Sequence, residues 1–270
     1  MQVFPPKVTI VVVNWNGLRD TTECLESLKE ISYQNYETVV VDNGSERNEA
    51  EALTEKFGKA VNVIRSDKNV GYARGCNIGI RYALEHMESD YVLLLNNDTI
   101  VDPKFLDMLV RVAENDRSIG IVGPKIYFYD KPNVIYFAGG VLLRRIGQPF
   151  HMGLRKVDRG QYNSLREVDF ISGCALLVKK EVIDKIGLLD TDYFAYFEDA
   201  DWNIKARAAG YKIVFSPQSM IWHKASSSSG FMSRLYIYHH LRSRIIFVRK
   251  NASKADFVFL FLPYLVVIRM

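Results

Sequence analysis

Tyr91-Val92-Leu93-Leu94-Leu95-Asn96-Asn97-Asp98 is the stretch on which the fold turns. Five apolar residues in a row, bounded by turn formers, read as a strand buried on both faces. It ends in two amides and a carboxylate. Open α/β sheets take their ligands at that rim, beyond the carboxyl ends of the strands. Hard oxygen ligands suit Mg²⁺ or Mn²⁺ carrying a diphosphate. One carboxylate cannot fill an octahedron, so phosphate oxygens, water and another side chain must complete it.

Similar strands recur on either side. Upstream, Val8–Val13 is a β-branched run. Asp20 and Glu23 have capping-box spacing ahead of an amphipathic stretch with Cys24, Leu25, Leu28 and Ile31. A strand at 38–41 ends in Asp42-Asn43-Gly44-Ser45, and helix 46–57, strand 61–65 and helix 73–87 follow. Downstream of Asp98 come helix 103–113, opened by Pro103, and strand 119–122, which closes the series. Strands alternating with helices at short spacing predict a parallel sheet with right-handed crossovers. Residues 1–123 thus form a nucleotide-binding half. Residues 124–230 form a second, less regular half, and residues 231–270 a C-terminal extension.

In the second half, 134–143 and 168–178 read as strands, the latter interrupted at Ser172-Gly173. Polar, glycine-containing residues 144–167 between them predict a mobile loop able to close as a lid. Helices are expected over 180–186 and 199–209, a strand over 212–215, a hinge at Ser226–Gly230 and a basic helix over 232–250. The apolar run 257–268 is shorter than the ~20 residues a spanning helix needs. It reads as interfacial, as the start of a spanning helix in a longer chain, or as a core element.

A net charge of +4 gives no argument for nucleic acid. The charge is uneven, however: beyond Trp202 the only acid is Asp256, against many Lys and Arg. A basic third beside an apolar tail predicts a peripheral contact with anionic lipid or a phosphorylated acceptor. Cys24, Cys76 and Cys174 are scattered, without a CxxC pair, which argues against zinc and for reduced thiols in the cytoplasm. The N-terminus reads as lacking a secretion signal.

Several residues carry candidate chemistry. Asp42, at a strand end, can accept from a pyrimidine N–H, or serve a plain turn. The run Asn69-Val70-Gly71-Tyr72-Ala73-Arg74-Gly75-Cys76-Asn77 enters a helix. Its backbone N–H groups and Arg74 can meet a phosphate, although a plain helix start explains the glycines too. His223 follows a strand and is a candidate for the additional metal ligand. Glu198 and Asp199 open a helix whose dipole favours the ionised form a general base needs. Phe194, Tyr196, Phe197 and Trp202 offer rings for stacking on a sugar.

Taken in order, these motifs resemble family 2 glycosyltransferases of the GT-A fold, most nearly the rhamnosyltransferase-like branch. The residues that carry the likeness are Val11–Gly17, Val41–Ser45, Asn69–Asn77, Leu94–Asp98, Ser172–Ala175, Phe197–Trp202, Ala206–Tyr211 and Trp222-His223. The resemblance implies a Rossmann-like, mostly parallel α/β sheet with helices on both faces, extended by a basic C-terminal helix. It implies that Asp42 meets uracil or thymine with Asn14 nearby. Gly71, Arg74, Asn77, Asn96, Asn97 and Arg242 would line the nucleotide-diphosphate. Asp98 and His223 would hold Mn²⁺ or Mg²⁺. Asp199 would be the base for a single inverting displacement, with Glu198 in support. The implied donor is a dTDP- or UDP-sugar, rhamnose first among them. The implied acceptor is a cell-envelope or lipid-linked glycan at the inner face of the membrane. Asn-Asn-Asp stands where the family often has Asp-x-Asp, and Cys76 where it often has an amide. The rival readings are a sugar nucleotidyltransferase, betrayed by pyrophosphate release, and a non-catalytic sugar-nucleotide-binding module.

Overall fold

The computed structural model describes residues 5–224 and 233–268. β1 (Val8–Asn14), β2 (Tyr36–Asp42), β3 (Asn62–Arg65) and β4 (Tyr91–Asn96) form the parallel block, in the order β3-β2-β1-β4. α1 (Leu18–Lys29), α2 (Glu49–Phe57) and α3 (Tyr72–His86) connect them. Successive strand side chains point to opposite faces. Val39 and Val41 accordingly pack with Ile78, Tyr82 and Met87 of the α3 region. Val40 joins the larger cluster that holds Cys24, Leu25 and Leu28 of α1. Helices therefore cover both faces, as the buried runs require.

Past β4 the order departs from the simple series. β5 (Thr99–Val101) and α4 (Phe105–Asn115) lead into β6 (Ile119–Phe128), which is longer than its apolar start suggests. β6 does not lie beside β4. β11 (Ala175–Lys179) sits between them, antiparallel to both, with Leu177 opposite Leu93 and Val122. Ala175–Lys179 is buried at every position, which suits a central strand. β6 runs through residues 123 and 124, so the two halves share one sheet.

The expected strand 134–143 breaks at Gly139 (φ +94°) into β7 (Lys131–Phe137) and β8 (Gly140–Leu143). The expected mobile loop is instead tied down. β9 (Gln148–His151) pairs with β8, and the Arg155 and Ile135 backbones bond to β7 and Lys156. Buried Lys125 donates to Asp158 Oδ2 (2.8 Å) and Asn163 Oδ1 (2.6 Å), anchoring the far end. Nothing in this pattern describes a lid. The sequence misled because backbone pairing to β7 and β8, which composition does not show, holds a segment whose polar side chains face solvent.

β10 (Arg166–Glu167), α5 (Lys180–Ile186) and α6 (Glu198–Ala208) precede β12, which extends over Lys212–His223. Its polar middle, Ser216–Ser219, hid it; the register shifts there and resumes at Met220. α7 (Arg234–Asn251) matches the expected basic helix. α8 (Lys254–Asp256), a π turn (Phe257–Phe261) and α9 (Leu262–Ile268) complete the described chain. The expected hinge at Ser226–Gly230 lies outside the described residues. Among those described, no helix is long and apolar enough to cross a membrane.

Candidate active site

The strand ends converge as the sheet dictates. β5 pairs antiparallel with the end of β12 and sets Thr99 opposite His223. His223 Nε2 therefore meets Asp98 Oδ1 at 3.1 Å, with both side chains almost fully buried. Burial works against an imidazolium there, but Cys174 and the Asp98 carboxylate outweigh it and hold the His223 pKa well above its ordinary value. His223 Nδ1 is buried and has no partner among the described residues. Two ligands about 2.1 Å from one ion at adjacent octahedral positions stand roughly 3 Å apart, so the pair fits a Mn²⁺- or Mg²⁺-sized cation. Among the described residues no third His, Cys, Asp or Glu joins them. The remaining positions fall to phosphate oxygens and water.

The carboxylate pair lies next to that motif. Asn96 N–H donates to Cys174 O (2.9 Å), and Asp199 Oδ2 accepts from the adjacent Gly173 N–H (2.7 Å). Tyr72 Oη stands 3.0 Å from both Asn96 Oδ1 and Gly173 O. Buried Tyr136 has its phenol pKa raised, chiefly by burial, and feels both Asp98 and Asp199. One phenol thus senses both carboxylates.

Burial, more than the helix dipole, sets the state of this pair. It raises the Asp199 pKa, while the Gly173 and Ala200 N–H groups pull the other way. It pushes Glu198 up further, to about 8, with help from the Asp199 charge. Among the described residues Glu198 Oε2 has no partner. Of two adjacent buried carboxyls, the one with backbone donors keeps the charge and the other keeps the proton. Asp199 is the one with two donors.

The chain reaches this pair through strained backbone. Tyr196 (φ +69°) and Phe197 (φ +70°) are consecutive left-handed residues that are not glycine. Such strain costs about 1–3 kcal/mol per residue and persists where its surroundings enforce it. Here Ser243 Oγ of α7 donates to Ala195 O (2.7 Å), His239 stacks on Phe194 (centroids 4.4 Å), and Tyr72 N–H donates to Phe194 O (2.6 Å).

At the other end of the cleft, Asp42 and Asn14 are fully buried. Asn14 Nδ2 donates to Asp42 Oδ1 (3.0 Å) and to Glu49 Oε2 (2.9 Å), and Gly17 N–H also donates to Glu49 Oε2 (3.0 Å). Thr21 Oγ1 donates to Asn14 Oδ1 (2.6 Å) and accepts from Asn97 Nδ2 (2.9 Å). A continuous hydrogen-bond path thus joins Asp42 to Asn97, beside Asp98. Among the described residues Asp42 Oδ2 has no donor. An open cleft of about 450 Å³ adjoins this network at Asn16, Gly17, Asp20, Arg47 and Glu49. Thr21 and Glu49 escaped the sequence reading. A polar residue on a helix face that otherwise reads as exposed or capping gives no sign of burial.

Other expectations need correction. Two donors of the glycine-rich loop are already taken, Gly71 N–H by Asn69 Oδ1 and Val70 N–H by Asn43 Oδ1. Gly71 answers to φ +89° and to crowding, since a Cβ there would stand 2.5 Å from Phe194 O. Gly75 and Gly79 let α3 approach Val13 and Val11 of β1. Asn77 is buried and spends its amide on the Leu189 backbone (2.8 and 3.0 Å), so it positions protein rather than ligand. Trp202 is core, its Nε1 donating to Gly187 O (2.9 Å), and Phe197 is buried too. Neither offers a sugar platform. Arg74 is exposed and has no protein partner among the described residues. Arg242 is exposed and donates to Asp192 O (2.8 Å).

A parallel α/β block with an acidic motif at the end of β4, a buried carboxylate at the end of β2 and a carboxylate pair beside the β4 motif gathers its polar groups at the rim where open α/β sheets take ligands. The chain belongs to glycosyltransferase like family 2, which matches residues 5–243. It is 28% identical over 267 residues to the uncharacterized protein y4gI of Sinorhizobium fredii, covering 93% of this chain and 28% of that longer relative. It is 25% identical over 262 residues to the N-acetylglucosaminyl-diphospho-decaprenol L-rhamnosyltransferase of Mycobacterium tuberculosis, covering 90% of this chain and 84% of that one. The structure superimposes on the mannosyltransferase PcManGT of Pyrobaculum calidifontis, solved with GDP-Man and Mn²⁺. The TM-score is 0.66 at 18% identity, covering 93% of this chain and 66% of the other. The fold is therefore GT-A, as the motifs implied.

Proposed function

We propose that this chain is an inverting glycosyltransferase that moves a sugar from a nucleotide-diphosphate donor to an acceptor hydroxyl in one displacement. The observation that carries the reading is the linkage of the Asp98 motif to Asp199 through Asn96, Tyr72 and Gly173. It supports one cleft with leaving-group and nucleophile sides. Asp199 takes the proton of the acceptor hydroxyl. That oxygen bonds to the anomeric carbon as the bond from carbon to the diphosphate breaks, and the configuration inverts. Glu198, protonated, offers a hydrogen bond to the acceptor. Arg74 balances diphosphate charge. A divalent cation, Mn²⁺ or Mg²⁺, held by Asp98 and His223 would supply the rest of that neutralisation.

Asp42 Oδ2 is the unpaired acceptor suited to the imide N–H of uracil or thymine, which favours UDP or dTDP donors. Rhamnose is the first sugar to test, given the Mycobacterium relative. The same relative motivates a lipid-linked glycan as acceptor, met at the inner face of the cell membrane. Incubation with dTDP-rhamnose or UDP-sugars, Mn²⁺ and a lipid-linked acceptor tests the reading. It predicts a glycoside of inverted anomeric configuration and free nucleoside diphosphate. Pyrophosphate release from a nucleoside triphosphate would replace it with nucleotidyl transfer.

A further inference from the structure

The C-terminal helix is apolar all round, and only one side of it is packed. Phe261 is buried, and Phe257, Tyr264 and Leu265 are half-buried against the body. On the other side Val258, Phe259, Leu262 and Val266 form a stripe at helical spacing, with Phe259 79% and Val266 60% exposed. A helix apolar on every face belongs in a non-aqueous setting.

This stripe is not alone. On the β8–β9 hairpin, Val141 and Phe150 are paired cross-strand neighbours, and both are exposed, as is Leu143 two residues on. Arg244 fastens hairpin to helix. Its guanidinium is mostly buried, donates to Ile146 O (3.1 Å) and Gln148 Oε1 (3.0 Å), and lies over the Tyr264 ring (5.0 Å). Arg145 Nε reaches Asp256 Oδ1 across the same seam (2.7 Å). The exposed charges nearby are Arg144, Arg145, Arg249 and Lys254, while Asp256 is neutralised by Arg145. Exposed aliphatic and aromatic side chains with cations between them suit the headgroup region of an anionic bilayer.

We infer that the β8–β9 hairpin and the C-terminal helix together form one docking face for an anionic lipid bilayer, clamped as a unit by Arg244. The inference deepens the proposal of a lipid-linked acceptor and rests on it only for its purpose. It also fixes orientation. α7 carries Arg244 at this face, and one residue earlier it carries Ser243, which holds the segment leading to Glu198 and Asp199. A docked face sets the carboxylate pair at a constant attitude to the membrane.

Flotation with phosphatidylcholine vesicles, with and without phosphatidylglycerol, tests the inference. Wild type should float with the anionic vesicles. The double variants Phe259→Ser with Val266→Ser, and Leu143→Ser with Phe150→Ser, should each weaken partitioning about tenfold or more. Arg144→Glu with Lys254→Glu should remove the preference for phosphatidylglycerol. All the substituted side chains are exposed, so folding should survive. Thermal shift with UDP or dTDP should be unchanged and reports separately on the nucleotide reading. Equal flotation of wild type and variants would overturn the inference. So would light scattering that shows a lipid-free dimer dissolved by the same substitutions, because a second copy would then cover the face.

Discussion

His223 Nε2 and Asp98 Oδ1 meet at 3.1 Å because the β5–β12 ladder sets His223 directly across from Thr99. Neither position announces the other in sequence; the pairing of two short polar-ended strands makes the site. If Asp98 and His223 hold the ion as proposed, His223→Ala should weaken Mn²⁺ binding in the presence of nucleoside diphosphate by about tenfold or more, since one of the two proposed ligands is lost. Paramagnetic titration of free Mn²⁺ measures it. Unchanged affinity would remove His223 from the ligand set.

The Glu198 carboxyl, raised by burial and by Asp199, supplies a pH signature. The unfolded chain releases this proton near the ordinary glutamate value, the folded chain only near pH 8. Between those values the unfolded state has lost a proton that the folded state keeps, so stability falls as pH rises and levels off above the folded pKa. Glu198→Gln should flatten that part of the profile and gain about 1–3 kcal/mol at the alkaline end. Urea unfolding at acidic and mildly alkaline pH measures it, and parallel wild-type and variant profiles would refute the protonated state.

Thr21 links Asn14, and through it Asp42, to Asn97 beside Asp98. Thr21→Val would strand Asn14 Oδ1 and Asn97 Nδ2, at a cost of about 1–3 kcal/mol. It should also raise the donor KM more than it lowers kcat, because Asn14 then no longer holds Asp42 in place. Thr21→Ser keeps the hydroxyl and should restore both. Failure of serine to rescue would make Thr21 a packing residue only.

Gly71→Ala puts a Cβ 2.5 Å from Phe194 O at a φ of +89°. The Phe194–Phe197 segment must then move, and it leads directly into Glu198 and Asp199, the pair proposed as catalytic. Stability should fall by about 1–3 kcal/mol and kcat with it. Denaturation midpoints and turnover under saturating donor check the pair of effects. An alanine variant with wild-type turnover would show that the segment tolerates displacement.

The parallel block was legible because both-face burial writes continuous apolar runs, as at Val8–Val13 and Tyr91–Leu95. Short polar strands were not. β9 pairs with its hairpin neighbour β8 and the second half of β12 with the distant β5 and β6, but both are polar enough that local composition read them as loop. The acidic motif, Asp42 and the Glu198-Asp199 pair stood out because carboxylates at element ends are unusual enough to notice. The glycines of 69–77 misled, since a close helix–strand approach and a phosphate cradle ask for the same residue. Asn77 and Trp202 misled likewise: a buried amide and a buried ring look like ligand contacts until their hydrogen bonds are traced.

The central claim is that Asp199 draws the proton from the acceptor hydroxyl in the cleft that also holds the Asp98 motif. Asp199→Asn keeps an oxygen for the Gly173 N–H, gives up the acceptor of the Ala200 N–H and loses the basicity. Donor titration beside steady-state turnover should give an unchanged donor Kd and a kcat lowered by roughly 10²–10⁴-fold. Turnover within a few-fold of wild type would contradict the account.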